Sequence, residues 1–148
     1  MKKTDLAYFA GIFDGEGCII IRKGRSGYHT AMATLTNTNE WICRQFQFSF
    51  GGSVYMRSPQ GDRRQAIWAW SVEAQKAQGF LEIIVPYLKL KRAQAEIAIG
   101  FAKRVHKQRG YRLTAGELAI REAEKLLISN YNKPLQSNNI GGKTNAVL

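Results

Sequence analysis

The chain has 148 residues, the length of a single domain spanning 1–148, and a flexible tail is expected from about residue 136. Its 22 Lys and Arg residues outnumber 11 Asp and Glu residues, and the net charge of +11 indicates a polyanionic partner, nucleic acid first. No apolar run could span a bilayer and no signal peptide opens the sequence, which predicts an intracellular protein without a membrane partner. Cys18 and Cys43 lack metal-site spacing and are expected to be ordinary buried thiols.

The first half of the chain predicts a helix and two strands, followed by another helix and two strands. The first helix is expected over Thr4 to Asp14, with Thr4 as N-cap and Gly15 and Gly17 ending it, because apolar residues recur at helical spacing. The predicted strands are Cys18 to Lys23, Tyr28 to Thr36, Ser53 to Arg57 and Gln65 to Val72. The second predicted helix carries Trp41, Ile42, Gln45, Phe46 and Ser49, with cap candidates at 37–39 and an end at Gly51-Gly52.

Beyond the second hairpin the pattern is helical. The predicted helices are Ala74 to Val85, Leu90 to Lys107 and Thr114 to Asn130, with Pro86 breaking the first from the second. This order of elements predicts an α+β domain with one antiparallel sheet, packed by helices on one face and free on the other.

Alternation along the first two strands separates an apolar face from a polar face that carries Arg22. A free sheet face of this kind fits the DNA major groove, where arginine reads guanine edges and polar side chains reach bases or phosphates. Trp68 and Trp70 are assigned to the core instead. The predicted contacts to double-stranded DNA are Arg22, Arg25, Tyr28, Thr30, Thr34, Arg57, Arg63 and Arg64.

The segment Phe9 to Gly17 reads Phe-Ala-Gly-Ile-Phe-Asp-Gly-Glu-Gly, which resembles the signature of the LAGLIDADG homing endonucleases. The residues identical to the signature are Ala10, Gly11, Asp14 and Gly17. A second segment, Val85 to Ala95, is similar to the part of that family that precedes a long helix and carries an active-site lysine. The resemblance implies the LAGLIDADG homing-endonuclease fold, of the αββαββα type, with a curved antiparallel sheet that binds DNA.

The resemblance also implies the residues of the site. It assigns metal binding to Glu16, at the eighth signature position, and to the backbone carbonyl of Gly15, with Mg²⁺ as the cofactor, Mn²⁺ as a substitute and Ca²⁺ supporting binding without cleavage. Lys91 would stabilise charge at the scissile phosphate or help activate water, although a solvated basic helix start also explains it. Asn37 would lie near the water network, and a helix-cap role explains it equally well. Asp14 is expected to be structural.

One face of the first helix predicts a partner helix. Ala7, Gly11 and Gly15 recur every four residues, and glycine inside a helix costs stability unless close packing requires it. Because the chain holds one copy of the signature, the partner should be the same helix of a second copy, in a two-fold homodimer. Pairing would bring two Glu16 carboxylates together beside two helix C-termini, an arrangement that requires cations.

The leading hypothesis is an intron-encoded homing endonuclease that makes a double-strand break in a long pseudo-palindromic site, cutting across the minor groove to leave short 3′ overhangs, as the resemblance implies. The alternatives are a cleavage-inactive nucleic-acid-binding protein or an intron RNA maturase on the same fold. A third is a basic domain whose glycine-rich helix end is coincidental. An organelle and a bacterial or phage cytoplasm are equally compatible locations.

Overall fold

The computed structural model describes residues 1–59 and 65–133. Its strands are β1 (Gly17–Lys23), β2 (His29–Asn37), β3 (Ser53–Arg57) and β4 (Ile67–Glu73). Its helices are α1 (Lys3–Glu16), α2 (Glu40–Phe50), α3 (Ala74–Ile84), α4 (Arg92–Lys107) and α5 (Ala115–Tyr131), with a 3₁₀ turn at Val85–Tyr87. The strands form one antiparallel sheet in the order β1-β2-β4-β3, so the predicted α+β class is confirmed.

The core lies between the inner face of the sheet and the helices. Ile19, Leu35 and Trp70 are fully buried there, as the strand alternation predicts. The Trp70 ring meets Phe46 of α2 at 5.0 Å and Phe80 of α3 at 4.9 Å between ring centroids. Both tryptophans were assigned to the core, and Trp70 is at its centre. The half-buried Trp68 packs against the core and also lies 5.7 Å from the guanidinium carbon of Arg44.

The first helix is longer than predicted at both ends. Lys2 rather than Thr4 is the N-cap, and its backbone N–H donates to the Asp5 carboxylate at 3.0 Å. At the other end, Gly15 does not stop the helix, which continues to Glu16 and passes directly into β1. Gly17 is required at this junction because a Cβ there would lie 2.3 Å from the Phe13 ring.

In α2 the buried residues are Cys43 and Phe46, whereas Trp41 is 57% exposed. Asn39 is the N-cap of this helix and accepts from the Trp41 backbone N–H at 3.0 Å. One expectation about the cysteines is corrected. Cys18 is only partly buried, since it lies on the outer face of β1.

The expected tail from about residue 136 lies outside the described residues, as do residues 60–64. Among the helices of the described ranges, none combines the length and the apolar character needed to cross a membrane.

Candidate active site and nucleic-acid interface

The register of the sheet brings Glu16 next to Asn37. Glu16 ends α1, and the residue after it, Gly17, pairs with Leu35 in β2. Asn37, the last residue of β2, therefore reaches the same end of the helix, and its amide Nδ2 donates to the Glu16 carboxylate. The Asn37 Oδ1 accepts from the backbone N–H of Asn39 at 2.8 Å, which fixes the orientation of the amide. Asn39, and not Asn37, caps α2, so the side chain of Asn37 is directed at Glu16.

Asp14 joins the end of α1 to the start of α4. Its buried carboxylate accepts the backbone N–H groups of Lys89, Leu90 and Lys91 at 2.6, 3.2 and 3.0 Å. Lys91 is the N-cap of α4 and Lys89 and Leu90 directly precede it, so the carboxylate lies at the N-terminus of this helix, where a negative charge is favourable. The structural role expected for Asp14 is confirmed. The same contacts explain why α4 begins at Arg92, two residues later than predicted.

The side chain of Lys91 returns to the end of α1. Its Nζ donates to the backbone carbonyl of Asp14, a helix-terminal acceptor that lacks its own intrahelical donor. Since α1 has no basic residue in its last turn, Lys91 provides the positive charge at the negative end of the helix dipole. The three predicted catalytic side chains, Glu16, Asn37 and Lys91, therefore converge on one helix terminus.

Cys18 lies beside this terminus but is not activated. Burial raises the pKa of the Cys18 thiol, and the positive charge of Lys91 offsets this effect only partly. The thiol therefore stays protonated at neutral pH, whereas a nucleophilic cysteine requires a lowered pKa. The site accordingly depends on its oxygen and amine groups.

The oxygen groups at the end of α1 suit a hard divalent cation. The Glu16 carboxylate is exposed, and Gly15 in the last helical turn is exposed as well. Carboxylate and carbonyl oxygens are the ligands that Mg²⁺ takes from proteins, together with water and phosphate. The Asp14 carboxylate is occupied by three backbone donors, so one chain presents one accessible carboxylate at this helix end. Within residues 1–59 and 65–133 no three His, Cys, Asp or Glu side chains form a metal-binding group.

The predicted DNA-contact residues that belong to the described strands lie on the outer face of the sheet. Arg22 pairs with Thr30, and Thr34 lies on the same face of β2 four residues further along, opposite Cys18. Arg57, at the end of β3, is exposed and donates to the Tyr55 hydroxyl at 3.0 Å. Arg25 and Tyr28 are exposed in the β1–β2 turn. Arg63 and Arg64 lie outside the described residues.

Glu73 was missed by the sequence analysis. The Arg22 guanidinium on β1 donates to both carboxylate oxygens of Glu73 at the end of β4, at 3.1 and 3.0 Å. The contact crosses β2, which lies between these two strands in the sheet. The registers explain the contact, since Arg22 is opposite Thr30 and Glu73 is opposite Met32. Extending the alternation of β4 by one residue beyond its predicted end would have placed Glu73 on this face.

The small-residue face of α1 is open. Ala7, Gly11 and Gly15 are all exposed. A Cβ built at Gly11 or Gly15 meets no atom within 4 Å, so no close approach inside the described part of this chain requires glycine there.

The helix–strand order, the four-stranded sheet and the site at the end of α1 define the LAGLIDADG homing-endonuclease fold, as the signature at Phe9–Gly17 predicted. The homing endonuclease I-CvuI, solved with its target in the presence of calcium, superposes with a TM-score of 0.72 at 22% identity, over 90% of this chain and 85% of that one. The archaeal intron-encoded homing endonuclease I-Vdi141I, solved with DNA, gives 0.71 at 15% identity, over 90% and 87%.

A third structure differs in length. The LAGLIDADG homing endonuclease I-SmaMI, bound to cleaved DNA, gives a TM-score of 0.63 at 17% identity, over 84% of this chain but 43% of that chain. The likeness at these identities establishes the fold. No protein-family model and no curated protein matches the sequence.

Proposed function

We propose that the chain is an intron-encoded, site-specific DNA endonuclease that acts as a homodimer and hydrolyses one phosphodiester bond in each strand of a long, nearly two-fold symmetric site. The observation that carries the proposal is the convergence of Glu16, Asn37 and Lys91 on the end of a helix that has an open small-residue face. The structures that share the fold and hold DNA support a DNA substrate.

Each side chain of the site has a role in this proposal. Glu16 and the Gly15 carbonyl would hold Mg²⁺, which when bound supplies a Lewis acid and a water of lowered pKa. Asn37 orients the Glu16 carboxylate by donating to one of its oxygens. Lys91 is held close to the helix end by the Asp14 carbonyl, where its ammonium group offsets the charge that develops on a phosphate under attack.

The homodimer follows from the same helix. Packing α1 against α1 of a second copy gives the open positions at Gly11 and Gly15 a neighbour, and small residues at four-residue spacing allow two helices to approach closely. The contact would place the two copies of Glu16 near the two-fold axis, one for each DNA strand. The longer I-SmaMI chain, of which this chain spans less than half, supports a functional unit of about two such domains.

The experiment starts from duplexes selected by binding to the wild-type protein from a random library in Ca²⁺. The selected site is cloned into a supercoiled plasmid, which is incubated with the protein in Mg²⁺, Mn²⁺ or Ca²⁺. Wild type is compared with Glu16→Gln and with the matched control Glu96→Gln, an exposed carboxylate that pairs with Arg92 on α4. We expect wild type and Glu96→Gln to linearise the plasmid in Mg²⁺ and Mn²⁺, and Glu16→Gln to bind it without cutting.

The outcomes separate the alternatives. Binding without cutting in any divalent metal would support a cleavage-inactive DNA-binding protein. Selection of RNA rather than duplex DNA would support a maturase. Full cutting by Glu16→Gln would overturn the assignment of Glu16.

A further inference from the structure

A cavity of about 890 Å³ lies at the opposite end of β2 from the candidate active site. It is lined by the start of β2, the first turn of α3, the last turns of α4, the α4–α5 loop and Arg121 of α5, and it is open to solvent. β2 runs from His29 beside the cavity to Asn37 beside Glu16. At about 3.3 Å per residue, the two sites are separated by roughly 26 Å.

The charged side chains around the cavity are predominantly basic. The basic and histidine residues that line it are His29, Lys76, His106, Arg109, Arg112 and Arg121. Glu73 is the acid among the lining residues, and it is engaged by Arg22 at 3.0 Å. The net charge of the lining therefore attracts an anion.

Three of these cations are without an acidic partner. The side chains of Lys76, Arg109 and Arg112 form no hydrogen bond or ion pair with another residue of the described ranges. Basic residues elsewhere on the same helices do pair: Arg92 with Glu96, Lys103 with Glu82, Arg104 with Glu117 and Glu124, Lys125 with Glu122. Lys76, Arg109 and Arg112 therefore place three positive charges at the cavity that no acidic side chain of the described ranges offsets.

Arg121 is the buried member of the set. Its residue is 2% exposed, its Nη2 donates at 2.6 Å to the neutral amide of Gln108, and its buried Nε has no partner. The nearby Glu117 is already bound to Arg104 at 3.1 Å. A buried guanidinium without a carboxylate in direct contact is costly, and an anion in the cavity would reduce that cost.

The first turn of α3 lies at the same cavity. Ala74 to Lys76 line the cavity, and the N-cap residue Glu73 makes no side-chain cap hydrogen bond. The N-terminal N–H groups of a helix carry partial positive charge and bind phosphate. Two independent features, a buried under-paired arginine and an uncapped helix start, therefore face one cavity.

We propose that this cavity binds a phosphate group, supplied by the sugar–phosphate backbone of the DNA flank outside the cleavage site. Tyr28 and Thr30, which belong to the outer side of the sheet, also line the cavity and connect it to the DNA-contact face. This source of the phosphate rests on the proposed DNA-binding function. The cavity lies at the far end of the sheet and extends the footprint of each subunit outward from the two-fold axis.

The test uses the double variant Lys76→Gln and Arg112→Gln, both exposed positions, so that folding is retained. The matched control is Arg92→Gln with Lys103→Gln, which removes the same charge from exposed sites with acidic partners. The Kd for a selected duplex is measured in Ca²⁺ over a range of salt concentrations. Each lost phosphate contact lowers the slope of log Kd against log salt by about one. We expect a smaller slope for the cavity variant and an unchanged slope for the control.

Duplex trimming and free phosphate identify the source. Removing the outer base pairs should weaken wild type and leave the cavity variant unaffected. In the second arm, thermal unfolding is measured with inorganic phosphate or dAMP. If either ligand stabilises wild type but not the cavity variant, while the two proteins have the same slope of log Kd for DNA against log salt, the cavity binds a free phosphomonoester and not the DNA backbone. Equal slopes for both variants, with no effect of either free ligand, would overturn the phosphate site. If the wild-type protein binds DNA but does not cut it, the nuclease proposal fails while these binding measurements can still be made. Failure of the nuclease proposal is therefore distinguishable from failure of the phosphate site.

Discussion

Adding a methyl group at Gly11 should have opposite effects on the isolated chain and on the dimer. A Cβ at Gly11 meets no atom within 4 Å in the chain itself. Replacing glycine by alanine inside an exposed helix stabilises the helix by about 1 kcal/mol. Overpacking a tight contact costs about 1–3 kcal/mol, and a two-fold interface contains the change twice. Gly11→Ala should therefore stabilise the monomer by about 1 kcal/mol and weaken the dimer by roughly 2–6 kcal/mol, or 30-fold and more in dissociation constant.

Gly100→Ala is the matched control. Gly100 is also an exposed helical glycine, on α4, and a Cβ there meets nothing within 4 Å. Urea unfolding at concentrations below the dimer dissociation constant measures the monomer, and sedimentation equilibrium measures the dimer. Both variants should raise the free energy of unfolding of the monomer, and Gly11→Ala alone should shift the monomer–dimer equilibrium.

The bulkier Gly11→Leu extends the test to function. It should abolish dimer formation and DNA cutting while the chain still folds, since the face is open. Identical dimer dissociation constants for wild type, Gly11→Ala and Gly100→Ala would refute the reasoning, and so would full cutting by Gly11→Leu.

Three further predictions concern other contacts. Asp14→Asn should lower the free energy of unfolding by about 2–3 kcal/mol in urea titration, because an amide cannot accept all three N–H groups at the start of α4. Hydrogen bonds from Lys125 and then from His29 lower the pKa of Glu122 to about 2, so its contribution to stability is present above the ordinary value of 4.5 and lost as pH falls towards 2. Thermal unfolding of Glu122→Gln should thus differ from wild type at pH 6 and converge with it near pH 2. Glu73→Gln should weaken the two hydrogen bonds that fix the Arg22 guanidinium. In selection from random duplexes, the preference for one base in each half-site should then fall by about fivefold, roughly 1 kcal/mol.

The sequence was sufficient where burial follows a local period. Alternation in β1 and β2 identified Ile19 and Leu35 as core and Arg22 as outward-facing, and the structure agrees. Boundaries were less accurate, because a helix end depends on contacts beyond its own residues. The chain can enter β1 directly from Glu16 because Gly17 leaves room for the Phe13 ring, and no propensity describes that fit.

The site itself was predictable only in part. The family resemblance singled out Glu16, Asn37 and Lys91, but not the hydrogen bonds that they form. Glu73 had no local mark of function, and the basic residues around the cavity come from four separated segments of the chain.

By itself, the sequence determined the order of elements, the two faces of the sheet, the basic charge and the small-residue face of α1. Each of these features depends on the overall composition or on residues that are neighbours or one structural period apart. Only the tertiary structure decided that Asp14 holds the start of α4, 75 positions away, and that Glu73 meets Arg22, 51 positions away. Contacts of this kind depend on strand register and helix packing. A local sequence pattern specifies neither, because the same alternation of buried and exposed residues is compatible with many strand registers and many packing partners.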